Sequence, residues 1–371
     1  MKENKKILLI TKHFPPEIDG VGDHSYQLAS RLKNHGFFVE ILNSTLNIED
    51  NFKHYHNPLN GFRDLNALTE IIQEAEPDII LFQYVPFSYN VKGLPFWLIA
   101  FFNQIKKQNI KILFFAHETF ERRRAKFKHI LLEYLQKAIL FRLSGLSDTV
   151  FTTNKVYATH LKKFKNKLYL TRTPSNFQDI AYHSRNKTSK EKIDIRLTYF
   201  GNRDFKKTLH IFKELYAINN KTRLSIVGKI TPNHFSDLKY PDNILIKEKI
   251  KITGPLAAHQ ILEELSQCDA YILPEYVGSK QDGGLNTKSG TTATGFMLGK
   301  VVISTKGDMT EDIFKDMSNC VLINANQPRE AAKKILSALT YSKEKIEKNA
   351  LKLYHEQLSW ENTIKTIIKK C

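Results

Sequence analysis

Cysteine is scarce: the 371 residues hold three, Cys268, Cys320 and Cys371. Their wide spacing lacks any metal-ligand pattern, which excludes a structural zinc site, and it fits a reducing cytoplasm. Long apolar runs are missing as well. The longest near a possible span is Leu94–Phe102, nine residues against the ~20 that a bilayer requires. The Lys-rich start, Met1 to Lys6, leads into only five apolar or small residues, too few for a signal peptide. A cytoplasmic location is therefore expected.

Acidic residues are also in short supply, 38 against 56 lysines and arginines, for a net charge of +18. The shortage is local. Residues 106–172 carry sixteen basic residues and only Glu118, Glu121, Glu133 and Asp148 against them, an excess of twelve. One-sided basicity predicts an anionic partner: nucleic acid, an anionic membrane surface or a phosphorylated substrate. A chain rich in lysine on solvated faces accounts for the high isoelectric point, though less readily for the clustering. No zinc pattern, helix-turn-helix or aromatic-basic single-strand motif accompanies the charge, so no nucleic acid is expected as partner.

What is present is a β/α rhythm on a chain long enough for two domains. Lys5–Thr11 predicts a strand, followed by a helix with Leu28, Ala29 and Leu32 on one face and a stop at Gly36. Phe37–Leu42, Pro77–Phe82, Lys111–Ala116 and Thr149–Thr153 predict further strands, with helices over Leu65–Ala75, Leu94–Lys107, Arg122–Leu143 and Lys155–Lys163. This is the pattern of a doubly wound parallel sheet. Residues 1–172 are read as one Rossmann-like domain, 173–195 as a polar connection and 196–355 as a second Rossmann-like domain. Residues 356–371 form a final helix that can cross back to the first.

Three stretches point to ligand chemistry. Gly20-Val21-Gly22 follows the first strand, but Ser25 stands where a dinucleotide fingerprint needs glycine. The spacing speaks against a nicotinamide or flavin enzyme and still permits close approach of a phosphate or sugar. His117 ends a predicted strand on the side where such sheets place ligands; a plain loop or packed histidine is the competing reading. Within residues 273–306, Ser289-Gly290-Thr291-Thr292 opens a helix after a loop rich in glycine and lysine. Free backbone N–H groups and the positive end of the helix dipole there make an anion site, or else an ordinary capped helix.

Several segments, in one order, resemble the retaining family-4-type glycosyltransferases of the GT-B fold, an α/β architecture of two Rossmann-like domains facing across a cleft. They are Phe14-Pro15-Pro16-Glu17 running to Asp23, Pro77 to Pro86 with Gly93, Leu94, Pro95 and Trp97 behind it, and His117-Glu118. Thr152-Thr153-Asn154, Phe200-Gly201 with Lys207, and Gly290-Thr291 running to Thr305 complete the set. The resemblance implies a nucleotide diphosphate-sugar as co-substrate, UDP- or GDP-linked, with the donor bound by the C-terminal domain and the acceptor by the N-terminal one. It implies no cofactor and no metal. Lys207 and Arg203 match positions that neutralise the diphosphate, together with Ser289, Gly290, Thr291 and Thr292. His117 looks like the family's donor-sugar histidine, and Gly20, Val21 and Gly22 like its cleft loop. The family's paired glutamates would fall at Asn286 and Thr294, and neither is acidic; Glu275 is the nearest upstream glutamate and a possible donor contact.

The resemblance thus implies transfer of a hexose to an acceptor hydroxyl in surface-polysaccharide or lipopolysaccharide assembly. The basic segment and the apolar Leu94–Phe102 stretch predict a lipid-linked acceptor at an anionic membrane face, the protein being peripheral on the inner side of the cell membrane. The missing glutamates motivate a different reading, a catalytically silent GT-B scaffold.

Overall fold

A computed structural model describes residues 5–120, 127–177, 194–201, 205–228, 248–278 and 283–371. The chain forms two compact units, residues 1–176 with 360–371, and residues 177–359.

The first unit is built on seven parallel strands. These are β1 (Lys6–Ile10), β2 (Phe38–Asn43), β3 (Lys53–His56), β4 (Ile79–Tyr84), β5 (Lys111–Ala116), β6 (Thr149–Thr152) and β7 (Leu168–Leu170), in the order β3-β2-β1-β4-β5-β6-β7. The central strands are largely apolar because helices cover both faces; all six residues of β4 are buried. Alternation along β1 divides the core. Leu8 and Ile10 pack with Phe82, Trp97, Phe101 and Phe102 on one face, while Ile7 and Leu9 pack with Leu28, Leu113 and Phe115 on the other.

The final helix, Trp360–Ile368, seals that second face. Trp360, Ile364 and Ile367 are buried in its core. Trp360 Nε1 donates to the Ser175 carbonyl at 2.7 Å, and Thr363 Oγ1 donates to the Arg172 carbonyl at 3.0 Å.

Leu94–Phe102, expected to meet a membrane, is mostly core, with Phe96 alone of its large side chains exposed. Trp97, Leu98, Phe101 and Phe102 are buried under the sheet, where aromatic bulk is best shielded from water. No helix among the described residues is long and apolar enough to cross a membrane.

The second unit has six parallel strands in the order β10-β9-β8-β11-β12-β13. They are β8 (Arg196–Phe200), β9 (Arg223–Val227), β10 (Ile250–Gly254), β11 (Ala270–Ile272), β12 (Val301–Thr305) and β13 (Val321–Ile323). The helix Gly290–Met297 lies so close on this sheet that a Cβ on Gly295 would come within 2.6 Å of Tyr271 Cδ1. Only glycine fits there.

Candidate functional site

The carboxyl ends of the strands gather the candidate residues in each unit, as parallel sheets do with their ligand-binding groups. In the second unit, β8 is followed by Gly201, whose φ of +134° is open to glycine and costly for other residues. A Cβ there would lie 3.9 Å from Thr291 Cγ2, so two stretches distant in sequence are in contact range. Arg203 lies outside the described residues.

Ser289 caps the helix Gly290–Met297. Its Oγ accepts from the Thr292 N–H at 3.3 Å and pairs with Thr291 Oγ1 at 2.9 Å. That cap uses the Ser289 hydroxyl and the Thr292 N–H, and Thr292 itself is buried. An anion at this end is therefore left to the first N–H groups of the helix, at Gly290 and Thr291, which have no acceptor one turn earlier.

Lys207 stands in the first turn of the helix Lys206–Ile218. Its ammonium lies 6.0 Å from the centre of the Tyr276 ring, which is 72% exposed. No carboxylate among the described residues pairs with it. Lys207 lines a cavity of about 890 Å³, together with Lys306, Thr310, Glu311 and residues 322–326. Lys306 likewise has no ion-pair partner among the described residues. Lys334, on the same wall, is bound to Asp316 at 2.5 Å. Buried Glu311 accepts from Thr287 Oγ1 at 2.5 Å. The cavity thus offers two uncommitted cations, Lys207 and Lys306, the second of which the sequence pattern did not single out. Ser289, Gly290, Thr291 and Thr292 do not line it.

The loop over this region is set by two glycines. A Cβ on Gly283 would fall 2.0 Å from the Tyr276 carbonyl oxygen, and one on Gly284 would fall 2.4 Å from the Gly307 nitrogen. Glu275 is buried three residues past β11, its carbonyl accepting from Thr305 Oγ1 at 2.6 Å. Asn286 and Thr294, standing where glutamates were sought, turn inward: Asn286 Nδ2 donates to Gly284 O and Thr294 Oγ1 to Gly290 O, both at 2.8 Å.

In the first unit, Gly20-Val21-Gly22 is the opening turn of the helix Gly20–Asn34 and not a free loop. Asp19 Oδ1 caps it, accepting from Val21 N–H at 3.0 Å and Gly22 N–H at 2.7 Å. The close approach that Gly22 permits is to the chain's own backbone, since a Cβ would lie 3.0 Å from the His13 carbonyl oxygen. Asp23, one residue on, has its carboxyl raised to about 6 by burial and, secondarily, by Asp19.

His117 follows β5 and is buried. Its Nε2 is 2.7 Å from Gln83 Oε1, and its ring stacks on Phe115 at 4.3 Å. With the Gln83 carbonyl accepting, Nε2 carries the proton and Nδ1 is the acceptor. Against it stands His24, ring centres 4.9 Å apart, and Trp360 covers His24 at 5.0 Å. Burial, then the Arg31 charge, lowers His24 to about 3. Burial, then His24, takes His117 well below the ordinary imidazole value. Both rings are neutral at pH 7 and act as hydrogen-bonding and packing groups, not as charges.

Two family descriptions match the chain. "Glycosyltransferase Family 4" spans residues 18–169 and "Glycosyl transferases group 1" spans residues 183–353. None of the curated proteins matches the sequence. Among solved structures, a glycosyltransferase from Rickettsia africae is 17% identical with a TM-score of 0.70, over 99% of this chain and 97% of that one. HepE from Anabaena, solved with UDP and glucose, is 14% identical with a TM-score of 0.66, over 99% of each chain. The lipopolysaccharide outer core galactosyltransferase WaaB is 13% identical with a TM-score of 0.65, over 99% of this chain and all of that one. At such identities the likeness speaks for the fold.

Proposed function

The chain belongs to the family-4-type glycosyltransferases of the GT-B fold, and from that premise we propose that it moves a hexose from a UDP- or GDP-linked donor to an acceptor hydroxyl. The observation that carries this reading is Lys207, an ammonium with no carboxylate partner among the described residues, on the wall of a cavity of about 890 Å³, in the same unit as the capped start of the helix Gly290–Met297. A departing nucleoside diphosphate carries two negative charges. An uncommitted lysine and a helix N-terminus stabilise that charge most when the sugar–phosphate bond is breaking.

In the proposed reaction the bond between the anomeric carbon and the diphosphate oxygen breaks, and the acceptor oxygen takes that carbon with retained configuration. The hydroxyl proton passes to the departing diphosphate. Lys207 binds the diphosphate, Lys306 supports it, and neutral His117 hydrogen-bonds the donor sugar. No metal is required, because the cations are supplied by the protein. The acceptor is a sugar of surface polysaccharide or lipopolysaccharide held on a lipid. WaaB supports that assignment by its named activity.

The test is release of nucleoside diphosphate from a panel of UDP- and GDP-hexoses with and without EDTA. Release by the parent that Lys207→Ala removes supports the reading. A protein with no turnover in any combination favours the silent scaffold, for which the inward-turned Asn286 and Thr294 are the specific motive.

A further inference from the structure

The helix Phe127–Leu146 is packed along one side. Gln136, Ile139, Leu140, Leu143 and Ser144 are buried, and Gln136 Nε2 donates to the Gly93 carbonyl at 3.3 Å. The opposite side is open and apolar. Ile130 is 55% exposed, Leu131 49% and Tyr134 69%, with Ala138 exposed one turn further on. That is a helical stripe facing solvent where a surface helix ordinarily shows polar residues.

Charge frames the stripe. Lys128 at one end and Arg142 at the other are exposed, and neither has an ion-pair partner among the described residues. The one acid of the helix, Glu133, is held by Lys137 at 2.6 Å. The outward face therefore reads cation, apolar stripe, cation. Gly93, which touches Gln136, belongs to the segment 86–96, a short helix and the turns after it, which exposes Phe87, Val91 and Phe96, with Lys92 beside them. Helix and loop hold six of the fourteen large hydrophobic residues that are exposed among the described residues.

We infer that this face docks on the surface of an anionic lipid bilayer. A bilayer interface accepts both parts of the pattern at once: Leu131 and Tyr134 enter the headgroup boundary while Lys128 and Arg142 meet lipid phosphates. A second copy of the chain would bring the same cations face to face, in a protein of net charge +18. The proposed lipid-held acceptor gives such docking its purpose, but the docking test does not depend on turnover.

The full chain is sedimented with vesicles of phosphatidylcholine alone or mixed with phosphatidylglycerol, at low salt. Binding at least tenfold stronger to the mixed vesicles is expected. The pair Leu131→Ser and Tyr134→Ser, and separately the pair Lys128→Gln and Arg142→Gln, should each lose at least tenfold. Tyr341→Ser, at a still more exposed aromatic of the second unit, should change nothing. Unchanged thermal midpoints show that the variants are folded. No vesicle binding, equal binding to both vesicle types, or full binding by either double variant overturns the inference. So does a dimer in vesicle-free solution that the Leu131 and Tyr134 substitutions dissociate, since the face would then be a self-interface. Vesicle binding without any nucleotide response would leave this surface standing and sink the transferase reading instead.

Discussion

Gly201 lies against Thr291: a Cβ at the glycine would be 3.9 Å from the threonine methyl. The end of β8 and the start of the helix Gly290–Met297 are thereby brought together on the second unit. Lys207 stands six residues after that glycine and Lys306 just past the end of β12, so cations and helix N-terminus share one edge of one sheet.

Removing the cations should weaken transfer unequally. Lys207→Ala is expected to lower kcat/KM by ~100-fold or more, the scale seen for loss of one group that stabilises transition-state charge. Lys306→Ala should cost about tenfold, as a supporting charge on a wetter wall. Steady-state kinetics on the same donor measures both, and equal rates for Lys207→Ala and parent would reject the role.

Gly284→Ala should destabilise the second unit. Its φ of +88° is costly for alanine, and the new Cβ would start 2.4 Å from the Gly307 nitrogen. Strain and overpacking together predict a loss of ~2–4 kcal/mol, read from urea unfolding. Gly20→Ala, where a Cβ meets nothing within 4 Å, is the control and should be close to neutral.

The buried histidines predict an acid-sensitive first unit. Folded His24 stays neutral down to about pH 3, whereas in the unfolded chain it takes a proton near its ordinary value of 6.5. The unfolded state therefore binds more protons between those limits, and stability is full above pH 6.5 and lost as pH falls toward 3. His24→Phe should flatten the fall between pH 6.5 and 4.5 by ~2 kcal/mol or more. Parallel curves for the two proteins would mean that His24 is hydrated and titrates normally.

Trp360→Ala tests the returning helix. The indole is 1% exposed, lies under the Arg31 guanidinium at 4.5 Å and donates to Ser175. Loss of so large a buried ring should cost ~3–5 kcal/mol and lower the first unit's unfolding midpoint. A change below 1 kcal/mol would place the helix outside the core.

The strands with long apolar runs were legible in the sequence, as was the helix that starts at Ser289. Their pattern records burial on both faces or a cap, and both are local properties. The strands β3, Lys53–His56, and β7, Leu168–Leu170, escaped because edge strands are short and half polar. Leu94–Phe102 was legible as apolar but not as core, since composition does not say which side a helix buries. The site divides in the same way. Lys207 and Gly290-Thr291 announce themselves by spacing, while Lys306, Tyr276, Gln83 and His24 acquire meaning only from neighbours distant in the chain. Gly22 is of the same kind: its close neighbour, the His13 carbonyl, is seen only in the fold.

The most direct test is thermal unfolding of the full chain with UDP, GDP, dTDP or ADP, each without and with magnesium. A ligand that binds the folded state alone must raise the midpoint. A clear rise is expected with UDP or GDP, the same with and without metal and lost in Lys207→Ala. No rise with any nucleotide at millimolar concentration, or a rise that Lys207→Ala retains in full, would contradict it.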